Sequence, residues 1–261
     1  MKERLSSVAV VLISAIIMCA GCSVKEDRGG CPCRLVFDFS GVGCDVSHGL
    51  SLSVTSADGF LFHGHVGSGD IAGYAVDVPR RLLDVNVWHG DEGHFDPSSG
   101  CIVPEGEQFP PLYLFSAGID ARKEYCICRP VLYKSYCTIT IEFRHEEQDI
   151  PFSFRIAGDV AGYDITGFPA AGAFSYFPEP DGSGGCSVRV PRQKDNSLRL
   201  EVIEDGNLLR VFALGEIIAA SGYDWTTDNL RDVTVEIDYS KTDVIFTIEG
   251  WKQEFSFVVT I

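Results

Sequence analysis

Basic side chains are scarce in this 261-residue sequence. Lysine and arginine number 21 against 37 aspartates and glutamates, so the net charge is −16 at pH 7. Proteins that bind nucleic acid neutralise phosphates with basic patches, and adsorption to anionic lipid also needs positive charge. The charge balance therefore argues against both kinds of partner, and any attachment to a membrane must have another origin.

Catalytic motifs are also missing. The chain has no G-x-S-x-G, H-E-x-x-H, P-loop or G-x-G-x-x-G motif. The glycine-rich residues 182–185 are not followed by a helical pattern whose amides would bind a phosphate. Adjacent acids occur at residues 91–92, 146–147 and 204–205, but such pairs are more typical of solvated turns than of a glycosidase site. We predict a protein that is not an enzyme and uses no cofactor.

Long helical periods are rare as well. Only residues 214–220 indicate one or two helical turns, and the chain has 2 methionines against 27 glycines, 12 prolines and 17 phenylalanines. Most of the remaining sequence alternates apolar and polar residues, which is typical of half-buried strands. The predicted strands lie at residues 35–39, 50–54, 60–62, 76–78, 83–87, 137–143, 152–156, 198–202, 209–211, 233–237, 244–248 and 255–261. Residues 90–111 are predicted to form a long loop, and the fold class is predicted to be all-β.

A short internal repeat predicts two domains. The motif V-x-V-P-R occurs at residues 76–80 and again at 188–192, each time before an alternating strand. The offset of 112 residues suits two β-sandwiches in tandem. The predicted organisation is a signal peptide at 1–21, an acylated linker at 22–34, an N-terminal β-sandwich at 35–130 and a C-terminal β-sandwich at 131–261.

The N-terminus has the features of a lipoprotein signal. A positively charged start precedes an apolar run of 11 residues, 8–18, which is shorter than the stretch of about 20 residues that spans a membrane. Cys19-Ala20-Gly21-Cys22 follows and resembles a bacterial lipobox. We predict cleavage before Cys22 and lipidation of its sulfur; the alternative is an ordinary signal peptide with a chance cysteine. Two or more acyl chains on Cys22 would form a stable tether to the outer membrane.

Two acids close to the lipidation site, Glu26 and Asp27, resemble the surface-export signal of Bacteroidota lipoproteins. A solvated linker has the same composition, so both interpretations stay open. The first one predicts a chain that is tethered to the outer membrane and exposed on the cell surface.

Eight cysteines remain beyond the lipobox. An exported protein meets oxidising conditions, so disulfides are the default expectation and buried free thiols the alternative. Two C-x-C pairs, at residues 31–33 and 126–128, could face each other and hold zinc, but structural zinc sites usually have wider spacings. The candidate disulfide cysteines are Cys31, Cys33, Cys44, Cys101, Cys126, Cys128, Cys137 and Cys186.

Two histidines, His63 and His65, would lie on one face of a strand and could bind a metal, with His89 and His94 further along the chain. A metal would also need a third ligand and a second shell of hydrogen bonds. Exposed turn residues are the simpler interpretation, so no metal site is predicted.

Three tryptophans, Trp88, Trp225 and Trp251, together with nine tyrosines, could stack on sugar rings. In a β-sandwich such residues more often fill core and corner positions. A surface lipoprotein that binds glycan, of the kind found in polysaccharide-utilisation systems, is therefore the runner-up hypothesis for function.

Short motifs follow one another along residues 22–261. The chain begins with an acidic linker, Cys31-Pro32 and a Leu-x-Phe-x-Phe strand. The later motifs are Pro-Pro-Leu-Tyr-Leu at 110–114, Tyr-Cys-Thr-Ile-Thr-Ile at 136–141, Ile-Ala-Gly at 156–158, Gly-Tyr-Asp-Ile-Thr-Gly at 162–167, Gly-Tyr-Asp-Trp at 222–225, Leu-Arg-Asp-Val at 230–233 and Ile-Asp-Tyr at 237–239. In their order, these motifs resemble the Bacteroidales fimbrial anchor family, the lipoprotein anchors of the major and minor fimbriae (type V pili).

The resemblance implies a role without catalysis. Members of that family have two tandem transthyretin-like, Greek-key β-sandwich domains and assemble by strand exchange, in which one subunit's strand completes its neighbour's sheet. Stalk and tip subunits lose an N-terminal strand to an arginine-specific protease. Anchor subunits stay lipidated, keep that strand and end the fimbria at the outer membrane. The implied partner is a fimbrial stalk subunit (pilin).

Two segments are singled out by this resemblance. Residues 35–40 are predicted to be the retained first strand, with Arg28 and Arg34 close to it as the sites where an arginine-specific protease could cut. Residues 254–261 are a candidate donor strand for the first pilin, or alternatively the last strand of the second sandwich, where each large apolar side chain buried would stabilise by about 1.5–3 kcal/mol. The apolar face of the candidate donor strand consists of Phe255, Phe257, Val259 and Ile261.

Overall fold

The computed structural model describes residues 30–43, 45, 47, 49–91, 93–96, 99–144, 152–181, 185–238, 243–248 and 251–253. These residues form nineteen strands, one α-helix and one 3-10 turn. The contacts divide the chain into Met1–Pro32 and Cys33–Ile261, and every strand of the described residues lies in the second unit. The predicted all-β class is confirmed.

The strands follow one another through most of the described chain. In chain order they are β1 Cys33–Phe37, β2 Leu50–Thr55, β3 Leu61–Val66, β4 Ala75–Val78, β5 Leu82–His89, β6 Phe95–Asp96, β7 Gly100–Ile102, β8 Tyr113–Asp120, β9 Tyr125–Cys128, β10 Tyr133–Lys134, β11 Tyr136–Arg144, β12 Phe152–Tyr163, β13 Pro169–Tyr176, β14 Cys186–Pro191, β15 Arg199–Glu204, β16 Asn207–Phe212, β17 Val233–Asp238, β18 Asp243–Ile248 and β19 Trp251–Gln253. Helix α1, Leu214–Ala220, lies between β16 and β17, where the sequence predicts it.

Four sheets are formed. Their strand orders are β4-β1-β9, β10-β8-β5-β2-β3, β14-β11-β17-β18-β19 and β16-β15-β12-β7-β6, with β13 also paired to β12. Among the described pairs, β1 with β9 and β11 with β17 are parallel, and the others are antiparallel.

The two V-x-V-P-R segments occupy equivalent places in this topology. The first contributes β4, which is antiparallel to β1, and the second contributes β14, which is antiparallel to β11. In each half the same strand also has a parallel neighbour, β9 for β1 and β17 for β11. The sequence repeat therefore corresponds to a repeated strand arrangement, while the domain boundaries themselves stay a prediction.

The buried residues form two hydrophobic cores. The first core consists of residues from β1 to Leu132, including Leu35, Leu52 and Val85. The second consists mainly of residues after 136, such as Ile139 and Phe154, but it also takes in buried residues from 88–114. A stretch before the predicted boundary at 130 thus packs with the strands that follow the boundary.

The predicted long loop at 90–111 is wrong in part. It contains the short strands β6 and β7, and β7 pairs with β12 through Cys101 and Tyr163. Val103 and Phe109 are 2% and 0% exposed. Strand pairing and burial hold this segment at only a few separate points. Its sequence therefore does not show the long alternation from which strands are predicted.

The motif at 162–167 begins at the end of β12, and its residues 164–167 form a loop that docks on the sheet of β5 and β8. The side-chain amide of Asn86, which is 0% exposed, donates to the Ile165 carbonyl at 2.7 Å. The Ser116 hydroxyl donates to the Thr166 carbonyl at 3.0 Å. Gly167 has φ +82°, and a Cβ there would lie 2.8 Å from the Asn86 side-chain oxygen. The loop thereby joins strands of both halves of the chain.

The predicted first strand at 35–40 is shifted in the structure. The strand is Cys33–Phe37, and residues Phe39–Gly41 form a 3-10 turn. The carboxylate of Asp38 accepts from the Ser40 amide at 3.2 Å, which caps the turn and ends the strand. Phe39 is nevertheless 6% exposed and packs in the first core, so the apolar alternation is preserved across the turn.

Candidate functional site

Strand β1 lies in the middle of its three-stranded sheet. Leu35 is the partner of Val76 on β4 and of Cys126 on β9. Leu35 and Phe37 are 0% and 1% exposed. Because β1 is hydrogen-bonded on both sides and buried on one face, its removal would uncover the first core and open a groove between β4 and β9.

One of the two predicted cleavage residues, Arg34, lies inside β1 itself. The Arg34 side chain is 55% exposed and pairs with Asp77 at 3.2 Å, while its amide donates to the Glu124 carbonyl at 2.9 Å. A cut after Arg34 would fall inside β1. No lysine or arginine occurs in residues 35–79, and the next one is Arg80, beyond β4. The other predicted cleavage residue, Arg28, lies outside the described residues.

The cysteines fall into two groups. The seven described ones are free thiols; Cys44 lies outside the described residues. Cys33 and Cys128 belong to the first core, and the partly buried Cys126 packs against it, while the second core takes in Cys101, Cys137 and Cys186. Cys31 is exposed.

Two of these sulfurs are in contact. The Sγ atoms of Cys33 and Cys126 lie 3.4 Å apart, although the two residues are 93 positions apart in sequence. Burial raises the pKa of Cys126 to about 12, and its contact with Cys33 acts in the same direction. The disulfide prediction for the eight cysteines stays a prediction, and this pair is the one whose described geometry favours it.

Strand β16 presents an apolar edge. In the described sheet it is an end strand that pairs with β15. Leu208, Leu209 and Val211 are 58%, 54% and 46% exposed. An exposed edge with apolar side chains is a template for pairing with another chain.

The predicted donor strand lies outside the described residues. Phe255, Phe257, Val259 and Ile261 follow β19, which is the last described strand and pairs with β18. The predicted lipidation site, Cys22, is outside the described residues as well. No helix of the described part is long and apolar enough to cross a membrane.

A cavity of about 680 Å³ opens beside β2, β3, β5 and β8. Its lining consists of Gly49, Ser51, His65, His89, Gly90, Asp91, Gly93, Pro111, Tyr113 and Tyr136. Tyr113 and Tyr136 meet edge to face with their ring centroids 6.0 Å apart. Burial raises the pKa of Tyr136 to about 12, so its hydroxyl stays protonated and can donate a hydrogen bond at neutral pH.

The imidazole of His89 has a defined orientation in this cavity. Its Nδ1–H donates to the Gly49 carbonyl at 3.1 Å, which leaves Nε2 free to bond to a ligand. Together with Asp91 and Ser51, the wall offers donors, acceptors and aromatic surface in one concavity. This combination suits a polar ring-shaped ligand such as a sugar.

The histidines predicted as turn residues lie on a strand. His63 and His65 belong to β3, two residues apart on one exposed face. His63 stacks on Phe95 with centroids 5.0 Å apart, whereas His65 lines the cavity. Within the described residues, no group of three or more His, Cys, Asp or Glu side chains is placed to hold a metal ion.

The tryptophans do not form a sugar-stacking platform in the described part of the chain. Trp88 is 0% exposed in the second core, and Trp225 is half-buried against that core and packs edge to face on Tyr223. The Trp251 side chain is outside the described region. The core and corner role is therefore the one that Trp88 and Trp225 have.

Solved structures share this architecture. A candidate polysaccharide-binding protein from Bacteroides thetaiotaomicron superposes with a TM-score of 0.62 at 13% identity, over 86% of this chain and 98% of that chain. The fimbrial anchor protein Mfa2 from Porphyromonas gingivalis gives 0.59 at 12% identity, over 87% and 100%. A candidate adhesin from Bacteroides ovatus gives 0.55 at 14% identity, over 89% and 97%. The chain has the fold that these three structures share. No family model matches the sequence, and no curated protein does.

The motif resemblance to fimbrial anchors is thus confirmed at the level of fold. Sequence reasoning raised the possibility that the two C-x-C pairs face each other, but it did not single out the Cys33–Cys126 contact, and it missed the cavity. Both join residues that are far apart in the chain, and only strand order and register bring them together. Alternation in β1 and β9 does signal which side chains point inward, but it does not show that these two strands are neighbours.

Proposed function

We propose that this chain is a surface lipoprotein that anchors fimbriae in the outer membrane, or is an accessory subunit of them, and ends their assembly by strand complementation. The observation that carries the proposal is the central position of β1 between β4 and β9. The fold shared with a fimbrial anchor protein and a candidate adhesin supports the same role.

The first argument is that the chain keeps its own strand. A subunit that accepts a strand from its neighbour must first lose one, which leaves an open groove. Here β1 fills that place, and residues 35–79 contain no lysine or arginine after which a protease could release it. A chain whose groove stays filled cannot accept a further subunit there, so it terminates assembly.

The second argument concerns attachment. Residues 22–32 join the predicted lipid on Cys22 to the start of β1 at Cys33. The net charge of −16 gives the chain no electrostatic affinity for anionic lipid. A covalent lipid is therefore the means by which the chain would be held at the membrane, with the pilin joined through residues 254–261.

The test is to delete the gene that encodes this chain in its source bacterium. We expect fimbriae to be shed into the medium, and the chain to co-purify with fimbriae from cells that carry it. Restoring the full chain should return fimbriae to the cells. Fimbriae that remain attached at full length and number in the deletion strain would overturn the proposal.

A second candidate function, glycan binding, is favoured by the cavity beside β2 and β8. Calorimetric titration of the full chain with oligosaccharides tests it, with Asp91→Asn and His65→Ala expected to abolish any heat of binding. Asp84→Asn is the matched control, because Asp84 lies on β5 and is exposed. A sugar signal unchanged in both cavity variants would remove the cavity from consideration.

A further inference from the structure

Cys33 and Cys126 occupy neighbouring strands of one sheet. Cys33 is the first residue of β1, and Cys126 is the partner of Leu35 on the parallel strand β9. Cys33 and Leu35 are two residues apart, so their side chains lie on the same, buried face. Cys126 packs against the same first core. The two sulfurs therefore meet beneath the sheet, 3.4 Å apart.

We propose that Cys33 and Cys126 form a disulfide that locks β1 into its sheet. The inference rests on the proposed function in one respect, because export brings the chain into an oxidising compartment where disulfides form. A disulfide requires a Cα–Cα distance of roughly 4.4–6.8 Å and a sulfur separation near 2 Å. Cys33 lies diagonally across from Cys126, two residues before the register partner Leu35, so closing the 3.4 Å sulfur contact takes a small shift of the first residue of β1 together with side-chain rotation.

The oxidation needs an electron acceptor, and the disulfide of a thiol-oxidising protein of the cell envelope supplies it. One thiolate of the pair attacks that disulfide and forms a mixed disulfide, releasing the first sulfur of the oxidant as a thiol. The second cysteine then attacks its partner's sulfur and releases the second one. Two protons and two electrons leave the pair, one S–S bond forms, and the oxidant's disulfide is reduced to a dithiol.

The geometry places this reaction during folding. Cys33 is 0% exposed in the finished fold, and the raised pKa of Cys126 keeps its thiol protonated. The thiolate is the reactive form, so the pair reacts while β1 is still joining the sheet. Once formed, the bond would be shielded from soluble reductants by the same burial.

The cross-link lies where the tether enters the fold. A pull on the lipidated N-terminus reaches Cys33 first, since Cys33 begins β1. Without a cross-link that pull would peel β1 from the sheet, breaking its hydrogen bonds one after another. With the cross-link the force passes directly into β9 through a covalent bond. The disulfide would therefore let a retained strand also serve as a mechanical attachment point.

The test is peptide mapping without reduction. The full chain is isolated from membranes with free thiols blocked by a maleimide, then digested with trypsin. Cleavage at arginine and lysine places Cys33 in residues 29–34 and Cys126 in residues 124–134, because the bond between Arg129 and Pro130 resists trypsin. We expect these two peptides to be joined, and the joint species to vanish on reduction.

Each peptide also contains a second cysteine, which provides the controls. The joined species should persist in Cys31→Ser and in Cys128→Ser, and be lost in Cys33→Ser and in Cys126→Ser. Maleimide on both Cys33 and Cys126 of exported protein would overturn the proposal. Linkage that instead disappears in Cys31→Ser or Cys128→Ser would do the same.

A parallel experiment separates this proposal from the proposed function. The full chain is refolded with reduced and oxidised glutathione and mapped in the same way. If the refolded chain is linked but the cellular protein is never exported, the lipoprotein function is refuted and the pairing stays supported. Free thiols at both positions after refolding would refute the pairing, whatever the location of the cellular protein.

Discussion

At Gly167 the fold depends on the absence of a side chain. This residue ends the loop that docks on β5 and β8, with φ +82° and with Asn86 and Ser116 within 3 Å of where a Cβ would stand. Asn86 is fully buried, and its amide is hydrogen-bonded to the loop carbonyl of Ile165. A buried amide without that partner would cost stability, so loop and sheet must fit closely.

We predict that Gly167→Ala destabilises the chain more than Gly59→Ala does. Both glycines have positive φ, at +82° and +90°, but a Cβ on Gly59 meets nothing within 4 Å. Backbone strain costs about 1–2 kcal/mol in each variant, and the clash at Gly167 adds about 1–3 kcal/mol. Urea unfolding of the two variants measures the difference. Equal losses in both would show that the loop does not dock as described.

At the scale of residues, the sequence predicts which single side chains are buried, but not which side chains distant in the chain contact each other. The alternation in residues 35–39 correctly assigns Leu35, Phe37 and Phe39 to the core. The same reasoning cannot place Asn86, a polar residue in an apolar strand, because its partner Ile165 lies 79 positions away. The cavity residues from Gly49 to Tyr136 are scattered over several strands, so their proximity depends on sheet order.

Among the elements, those with strong periodicity were predictable. Strands β2, β5, β11, β15 and β17 and helix α1 occur where the pattern places them. Strand β13, Pro169–Tyr176, was missed because its alanines and glycine carry little alternation. It forms through the backbone ladder to β12, whose register shifts twice along the pair. Pairing with a neighbour can thus determine a strand that local sequence does not indicate.

Whether β1 is retained or removed by proteolysis distinguishes an anchor from a stalk or tip subunit. We predict that an arginine-specific protease leaves residues 35–79 of the folded chain intact, whereas Ser47→Arg creates a cut between β1 and β2. Ser47 is exposed in the connection between these strands, and Ser47→Gln is the control without a cleavage site. Under reducing conditions the cut variant should unfold at a lower temperature, because β1 is then held by non-covalent contacts alone.

Mass spectrometry of the digests and thermal unfolding measure these outcomes. The same method applied to protein from cells gives the natural N-terminus. Mature protein that begins at Gly29 or Leu35 would identify a stalk or tip subunit instead of an anchor.

The proposed function requires the whole chain to be attached to the membrane near its N-terminus and joined to the pilin at its C-terminus. We predict that Cys22→Ala abolishes palmitate labelling and moves the chain from the membrane fraction to a soluble or mislocalised form. The reason is that Cys22 is the predicted acylated residue and the acidic chain has no electrostatic attraction to anionic lipid. Cys31→Ser, nine positions later, is the control and should keep the label. Labelling that persists in Cys22→Ala would contradict the lipoprotein assignment.

The C-terminus is the other end of this coupling. We predict that a chain truncated after Gln253, the last residue of β19, stays folded and surface-exposed while its fimbriae are shed. The segment removed carries one apolar face of four residues, and a chain end can leave its sheet without dragging a loop along. Phe257→Asp should reproduce the shedding, because it places a charge on that face. Ser256→Asp, on the opposite face, is the matched control and should retain fimbriae.

The truncation has two other possible outcomes, and thermal unfolding together with a count of attached fimbriae distinguishes them. If residues 254–261 were the last strand of the second sandwich, truncation would remove several large apolar side chains worth about 1.5–3 kcal/mol each. With a total stability of about 5–15 kcal/mol, such a loss would collapse the fold, so the truncated chain would not accumulate on cells. A folded truncated chain with its fimbriae still attached would instead eliminate the donor role, and the exposed edge at β16 would become the surface to test by Leu209→Lys.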